Sequence, residues 1–266
     1  METIGENLFQ VKKERTYISC LVKGCTYGFK HLGMLLHYMW PSLVLSVLFP
    51  IPFIFFYAAQ LDAILRKWIE LGYIPNVTLK VMRRDIEHCA SRSGITILIS
   101  LLLLPIALAG VALLILPMVM GLKYWWGVLA FFIIFILMLP MVVVVMQIGY
   151  SDTPLKECFR SGLKLAYKNL GKIFAFEFLS ALFGLIIGFL GGIPFQIVFA
   201  AGLQAYKGWQ MGDVLDLPAL FPLYATLAVL ILNAVILIAA IVFSFSRCLM
   251  WGSLVEEVPT EAEANS

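Results

Sequence analysis

Charged residues are scarce in this sequence, and long apolar runs take their place. Charged residues make up 13% of the chain and hydrophobic residues 62%, whereas soluble domains carry about 25% charged and about 45–50% apolar residues. This composition excludes a water-soluble fold and predicts an all-α, polytopic bundle of transmembrane helices. The net charge of +3 is too small to indicate a nucleic-acid partner.

The sequence also lacks the residue patterns of common catalytic and metal sites. Its three histidines, His31, His37 and His88, do not form an H-E-x-x-H pair, and no nucleophile elbow or phosphate-binding loop is present. Cys20 and Cys25 are spaced too widely for a C-x-x-C redox motif. We therefore predict that the chain is not an enzyme and holds no catalytic residue, metal or cofactor.

The two ends of the chain are polar. Residues 1–16 contain no signal-peptide core, so we expect the N-terminus to be retained. Residues 254–266 form an acidic tail that we expect to be disordered. Between these ends we predict a single transmembrane domain over 17–253, with a first half over 17–150 and a second half over 155–253.

A repeated segment organises the apolar part of the chain. Residues 51–63 recur as residues 193–205 without a gap, and both copies begin at a break in an apolar run. Residues 20–33 also match residues 158–171. A fixed offset indicates an internal repeat, so we predict two related halves, each with an amphipathic helix at its start and a broken hairpin. The residues at the breaks are Pro50, Pro52, Gly191, Gly192 and Pro194.

The apolar runs predict six spans, with five and seven as alternatives. A span at 31–49 turns into a short return arm that ends at Arg66, Lys67 and Trp68, because two prolines interrupt the run. The later spans are expected at about 95–120, 124–148, 172–190 and 219–247. Whether residues 193–205 cross the membrane stays open, and with it the side of the C-terminus.

The distribution of Lys and Arg favours the hairpin arrangement. With the first run as a hairpin, all but two of the 19 basic residues fall on one side, which the positive-inside rule assigns to the cytoplasm. We therefore predict a multi-pass protein of the bacterial inner (cytoplasmic) membrane with a cytoplasmic N-terminus. The cysteines agree with six spans, since these place all five cysteines in the reducing compartment.

Basic residues recur at helical spacing in two stretches next to the spans. Each Lys or Arg near an anionic leaflet contributes about 1 kcal/mol to surface attraction, so we predict contact with the lipid bilayer through anionic headgroups of the cytoplasmic leaflet. The alternative is that these charges only set the topology. The residues are Lys80, Arg84, Arg92, Arg160, Lys164, Lys168 and Lys172. The sequence indicates neither a protein partner nor an oligomeric state.

Four polar residues lie within or beside the apolar runs: His37, Asp62, Glu177 and Asn233. Polar groups inside a membrane are costly, so each is a functional candidate. Each also has a structural interpretation. Asp62 is one turn from Arg66, Glu177 is close to headgroup level, His37 has interfacial aromatic neighbours, and Asn233 suits a helix–helix contact.

The order of elements resembles that of bacterial families of uncharacterised polytopic membrane proteins, including the membrane domain found with some glycerophosphodiester phosphodiesterases. The shared pattern is a basic amphipathic start (Gly24 to Lys30), a hairpin broken at Ile51-Pro52, a basic return with Gly72 and Pro75, and a second start at Gly162-Leu163-Lys164. The resemblance implies a polytopic bundle and carries no enzymatic role. We expect a structural, accessory or envelope-associated function, with a small-solute transporter of two repeats as the alternative.

Overall fold

The computed structural model describes residues 10–13, 15–74, 79–120, 124–212 and 217–256, and over these ranges the chain is all-α. The nine helices in these ranges are α1 (Tyr17–Lys30), α2 (Leu32–Leu48), α3 (Pro50–Leu71), α4 (Leu79–Met120), α5 (Tyr124–Tyr150), α6 (Leu155–Lys168), α7 (Leu170–Gly191), α8 (Ile193–Gln210) and α9 (Phe221–Glu256). The predicted all-α class is confirmed. Of the tail predicted over residues 254–266, residues 254–256 belong to α9 and the rest lies outside the described ranges.

Four helical segments are long and apolar enough to cross a membrane: Cys89–Gly110, Trp125–Tyr150, Leu170–Gly191 and Phe221–Val255. A fifth is added if α1 and α2, which meet at a bend of 73°, count as one span. A multi-pass membrane protein is therefore confirmed. α3 is not among these spans, since its apolar part from Pro50 to Leu61 measures about 18 Å against a hydrocarbon core of about 30 Å.

The first break in the repeat is a hairpin turn. Phe49 lies between α2 and α3 with φ −133° and ψ 72°, a non-helical conformation that a following proline favours. The return helix then packs back on α2, where Gln60 Nε2 donates to the Tyr38 carbonyl at 2.9 Å and Ser42 Oγ donates to Gln60 Oε1 at 2.5 Å. Tyr38 and Gln60 lie equally far from Phe49 on the two arms, as a hairpin requires.

The hairpin expected in the second half does not form, and this prediction is corrected. Gly192 stays in the right-handed helical region, and its amide still donates to the Gly188 carbonyl at 2.9 Å. α7 and α8 run on in the same direction along α9, with Gly191 beside Val235 and Gly202 beside Phe221. The physical reason is that Pro194 comes one residue after the helix has restarted, so it kinks the rod without reversing it.

Each of the two amphipathic helices crosses a long helix at a glycine. A Cβ at Gly24 of α1 would clash with the backbone of Ser246 in α9, and a Cβ at Gly162 of α6 would lie 2.9 Å from the Cα of Val144 in α5. These two glycines match in the sequence repeat. A small residue lets two helix backbones approach closely, so α1 packs on the second half and α6 packs on the first.

Trp68 of α3 lies at the centre of the core. It is fully buried, stacks on Tyr27 of α1 at 4.7 Å and meets the edge of Phe245 of α9 at 4.8 Å. The sequence placed Trp68 at the end of the return arm, but α3 continues to Leu71. It stops at Gly72, whose φ of 73° is the left-handed cap conformation that glycine adopts without strain.

Both ends of the described chain meet at one end of the bundle. The Arg15 amide donates to Ser253 Oγ at 2.9 Å, and Ser253 Oγ donates back to the Arg15 carbonyl at 3.1 Å. At the same end, Arg66 of α3 donates from Nε to the Gly149 carbonyl at 2.9 Å and from Nη1 to Asp152 at 2.5 Å. The N-terminal segment, the α5–α6 turn and the end of α9 therefore lie on the same side.

Candidate functional site

A groove between α5, α7 and α9 joins a charged end to an apolar channel. Its volume is about 330 Å³. Glu177 and Ser180 of α7 and Arg247 of α9 line the charged end, and Gly188 and Val235 lie at the other end. The groove thus extends from the first half of α7 toward the Gly191–Pro194 break.

The charged end is an ion pair with unused hydrogen-bonding capacity. Arg247 donates from Nη2 to Glu177 Oε2 at 3.2 Å. The Glu177 side chain is 9% exposed and that of Arg247 is 49% exposed. Within the described part of the chain, Glu177 Oε1 and Ser180 Oγ have no hydrogen-bond partner. A buried oxygen without a partner costs about 1–3 kcal/mol, so these two atoms mark the groove as a place where a polar ligand group is favoured.

Small side chains make part of the rest of the groove, which larger apolar side chains complete. Ala181, Gly184 and Gly188 on α7 face Ala239 and Ala240 on α9. A Cβ added at Gly184 or at Gly188 would meet nothing within 4 Å. The two glycines therefore leave real space beside the helices, in contrast to Gly24 and Gly162.

Two of the other three predicted intramembrane polar residues lie apart from this groove. Asp62 does not pair with Arg66 in the described contacts; it accepts a hydrogen bond from Ser93 of α4 at 2.5 Å, while Arg66 binds Asp152. His37 is exposed on α2, with its ring 5.9 Å from that of Tyr38.

Asn233, the remaining predicted polar residue, is half-buried on α9. It lies in sequence next to Leu232 and Val235, which pack on the glycines of the α7–α8 break. This position fits the helix–helix contact that the sequence suggested for Asn233.

Several polar side chains of the core form hydrogen bonds between helices. Tyr57 donates to the Leu237 carbonyl at 2.6 Å, and Trp251 Nε1 donates to Gln147 Oε1 at 2.7 Å. Together with the bonds of Gln60 to α2, these contacts join α3 to α9 and α9 to α5. Satisfied internal pairs of this kind fix the packing of the helices.

The predicted basic stripes have different surroundings. Arg160, Lys164 and Lys168 are exposed on α6, and Lys172 at the start of α7 is half-buried. Arg92 of α4 binds the α5–α6 turn, donating from Nη2 to the carbonyls of Asp152 at 3.0 Å and Thr153 at 3.1 Å. The side chains of Lys80 and Arg84 lie outside the described residues. Lipid contact by these residues stays a prediction.

Sequence reasoning missed Arg247 and Ser180. Seventy positions separate Arg247 from Glu177, so no local spacing connects them. One signal was present: Glu177 is the single acid in its apolar run, and Arg247 is the single base in the last one. Lone opposite charges in two apolar helices indicate a pair.

The described residues contain no group of three or more His, Cys, Asp or Glu side chains placed to hold a metal ion. Comparison with known proteins finds no matching family model, no matching curated protein and no matching solved structure.

Proposed function

We propose that the protein is a non-catalytic integral protein of a bacterial inner membrane, with a structural or accessory role in the cell envelope. The observation that supports this proposal best is the set of hydrogen bonds between helices in the core. Gln60, Tyr57 and Gln147 each form a hydrogen bond with a neighbouring helix. Polar groups used in this way stabilise a fixed bundle, and a fixed bundle suits a protein that supports others.

The proposed topology has an even number of crossings with both ends in the cytoplasm. The contact between Arg15 and Ser253 supports this topology. Both residues lie at the end of the bundle where the basic end of α3 and the basic start of α4 meet the α5–α6 turn. The chain crosses the membrane six times if the tip of the α2–α3 hairpin reaches the outer surface, and four times if the tip stops inside the bilayer. All five cysteines are free, in keeping with a reducing compartment.

The same proposal places α6 against anionic lipid. Its buried residues, Cys158, Gly162, Leu165 and Ala166, pack toward α5, while Arg160 and Lys164 are exposed on its other face. Gly24 and Gly162 align in the sequence repeat, which supports a duplicated origin for α1 and α6. We propose that the two halves arose from one repeat and diverged most at the second break.

A small-solute transporter is the second candidate, and the groove favours it. The break at Gly191–Pro194 lies beside α9 next to the end of the groove. Broken helices that border a polar cavity occur in transporters built from repeats. A transporter differs from an accessory protein in one respect that is measurable: its cavity is reached by water.

Cysteine labelling in intact cells and in inverted vesicles tests both proposals. With a membrane-impermeant maleimide, Trp125→Cys at the start of α5 should react in intact cells, and Glu70→Cys near the end of α3 should react only in inverted vesicles. Both side chains are exposed. Gly188→Cys, in the groove, should stay unreactive in both preparations, because the accessory role needs no water path.

The unsubstituted chain provides the background signal, since four of its five cysteines are buried. Reaction of Glu70→Cys in intact cells would contradict the topology. Reaction of Gly188→Cys from the outside would favour the transporter and reject the sealed bundle.

A further inference from the structure

We infer that the groove between α5, α7 and α9 is a binding site for one phospholipid with a primary ammonium in its headgroup, of the phosphoethanolamine class. The inference concerns a ligand and goes beyond the structural role proposed above. It rests on the two ends of the groove, which differ in chemistry as the two ends of a lipid do.

The charged end selects a zwitterion. Glu177 and Arg247 neutralise each other, so the site as a whole favours no net charge. Arg247 has five N–H donors, is half-exposed and faces the groove, which suits a phosphate oxygen. Glu177 Oε1 is buried, lines the groove and lacks a partner among the described residues. That oxygen accepts hydrogen bonds, which an ammonium group donates.

An anionic headgroup without an amine satisfies half of this site. Its phosphate would bind Arg247, but its negative charge would lie near the Glu177 carboxylate with no proton to offer. A quaternary ammonium brings a positive charge but no N–H donor, so Glu177 Oε1 would stay without a hydrogen bond. A primary ammonium linked to a phosphate satisfies both residues, and Ser180 Oγ adds a third polar contact at the same end.

The apolar end has the length of an acyl chain and open space beside α7. Glu177 and Gly188 are eleven positions apart on α7, which is about 16 Å along a helix. This is about half of the hydrocarbon core, the depth of one leaflet. Gly184 and Gly188 leave open space where other residues would project, so a chain seated there replaces the missing side chains.

Lipid retention by the full-length protein tests the inference. The protein is reconstituted into nanodiscs with equal amounts of phosphatidylethanolamine, phosphatidylglycerol and phosphatidylcholine. It is then extracted in mild detergent, and the lipid that stays bound is quantified by mass spectrometry. We expect phosphatidylethanolamine to be enriched over both competitors relative to the nanodisc. Glu177→Gln should reduce this enrichment about tenfold, the effect of losing one charge-assisted hydrogen bond.

Two matched pairs separate specific binding from the general lipid shell. Gly188→Leu fills the groove and should lower retention of every lipid, whereas Gly171→Leu, at an equally open position of the same helix outside the groove, should not. Glu157→Gln on the exposed face of α6 is the control for Glu177→Gln. Size-exclusion profiles and helical content confirm that each variant is folded.

Three results would overturn the inference. The first is bound lipid with the composition of the surrounding nanodisc. The second is preferential retention of phosphatidylglycerol, which would assign the site to anionic lipid. The third is an unchanged enrichment in folded Glu177→Gln together with an unchanged amount of bound lipid in folded Gly188→Leu. None of these results bears on the labelling of Glu70 or Trp125, so the proposed topology and role stand or fall separately.

Discussion

α3 and α8 carry the two copies of the repeated segment, yet they have opposite surroundings. α3 supplies Tyr57, Leu61, Leu65 and Trp68 to the core. α8 has no buried residue, and Ile197 and Phe199 are more than half exposed at the surface of the bundle. The comparison shows that an Ile-Pro-Phe break does not by itself decide between a hairpin and a kink.

What decides is the backbone conformation at the junction between the two helices and the helix that lies alongside. Phe49 precedes Pro50 and leaves the helical region, so α3 turns back onto α2. Gly192 stays helical and α8 continues along α9. α3 therefore lies among α2, α4 and α9, while α8 has helical neighbours on one side.

The largest expected difference between the two copies is in the cost of removing a tryptophan. Trp68→Ala should lower the free energy of unfolding by about 3–5 kcal/mol, because it leaves a large cavity beside Tyr27 and Phe245. Trp209→Ala near the end of α8 should cost less than about 1 kcal/mol, since Trp209 is 56% exposed. Thermal unfolding of both variants in one detergent measures the difference. Equal losses would show that α8 is buried as deeply as α3.

The glycines at the two helix crossings should show the next largest effect. Gly24→Ala and Gly162→Ala each force two backbones apart, and we expect losses of about 1–3 kcal/mol. Gly24 should be the more sensitive, because its added Cβ would overlap the Ser246 backbone more severely. Urea or SDS titration of the folded protein gives the ranking.

The repeat supplies the controls at matched positions. Gly33 and Gly171 occupy corresponding places at the starts of α2 and α7, and an added Cβ meets nothing within 4 Å at either. Alanine there should be neutral or stabilise by up to about 1 kcal/mol, since alanine is the better helix former. A loss at Gly33 or Gly171 as large as at Gly24 would contradict the proposed role of close backbone approach.

The sequence predicted the features that local chemistry determines. Composition gave the all-α membrane class, and the double proline at 50 and 52 gave the first hairpin. It failed where distant contacts decide. Trp68 follows two basic residues and was expected at the end of the return arm, but α1 and α9 cover it. Glu177 was identified as a candidate, but its partner Arg247 lies on a helix 70 positions away, and pairing across that distance leaves no local pattern.

The smallest expected effect concerns the two prolines that occupy matched positions of the repeat. Pro194→Ala restores an amide that can donate to the Leu190 carbonyl, because α8 continues the direction of α7. We expect a gain of about 1 kcal/mol in stability, the worth of one hydrogen bond. Pro52→Ala should change stability by less, because Pro52 lies in the first turn of α3, where amides have no intrahelical acceptor.

A distance measurement makes the same comparison geometric. Spin labels at Leu185 and Leu203, both exposed, should be about 27 Å apart along a straight rod. The wild-type kink should shorten this distance moderately, and Pro194→Ala should move it toward the straight value. In a hairpin the two labels would lie side by side on adjacent arms. A short distance in the wild-type protein would therefore restore the second hairpin, and α8 would then resemble α3 in geometry as well as in sequence.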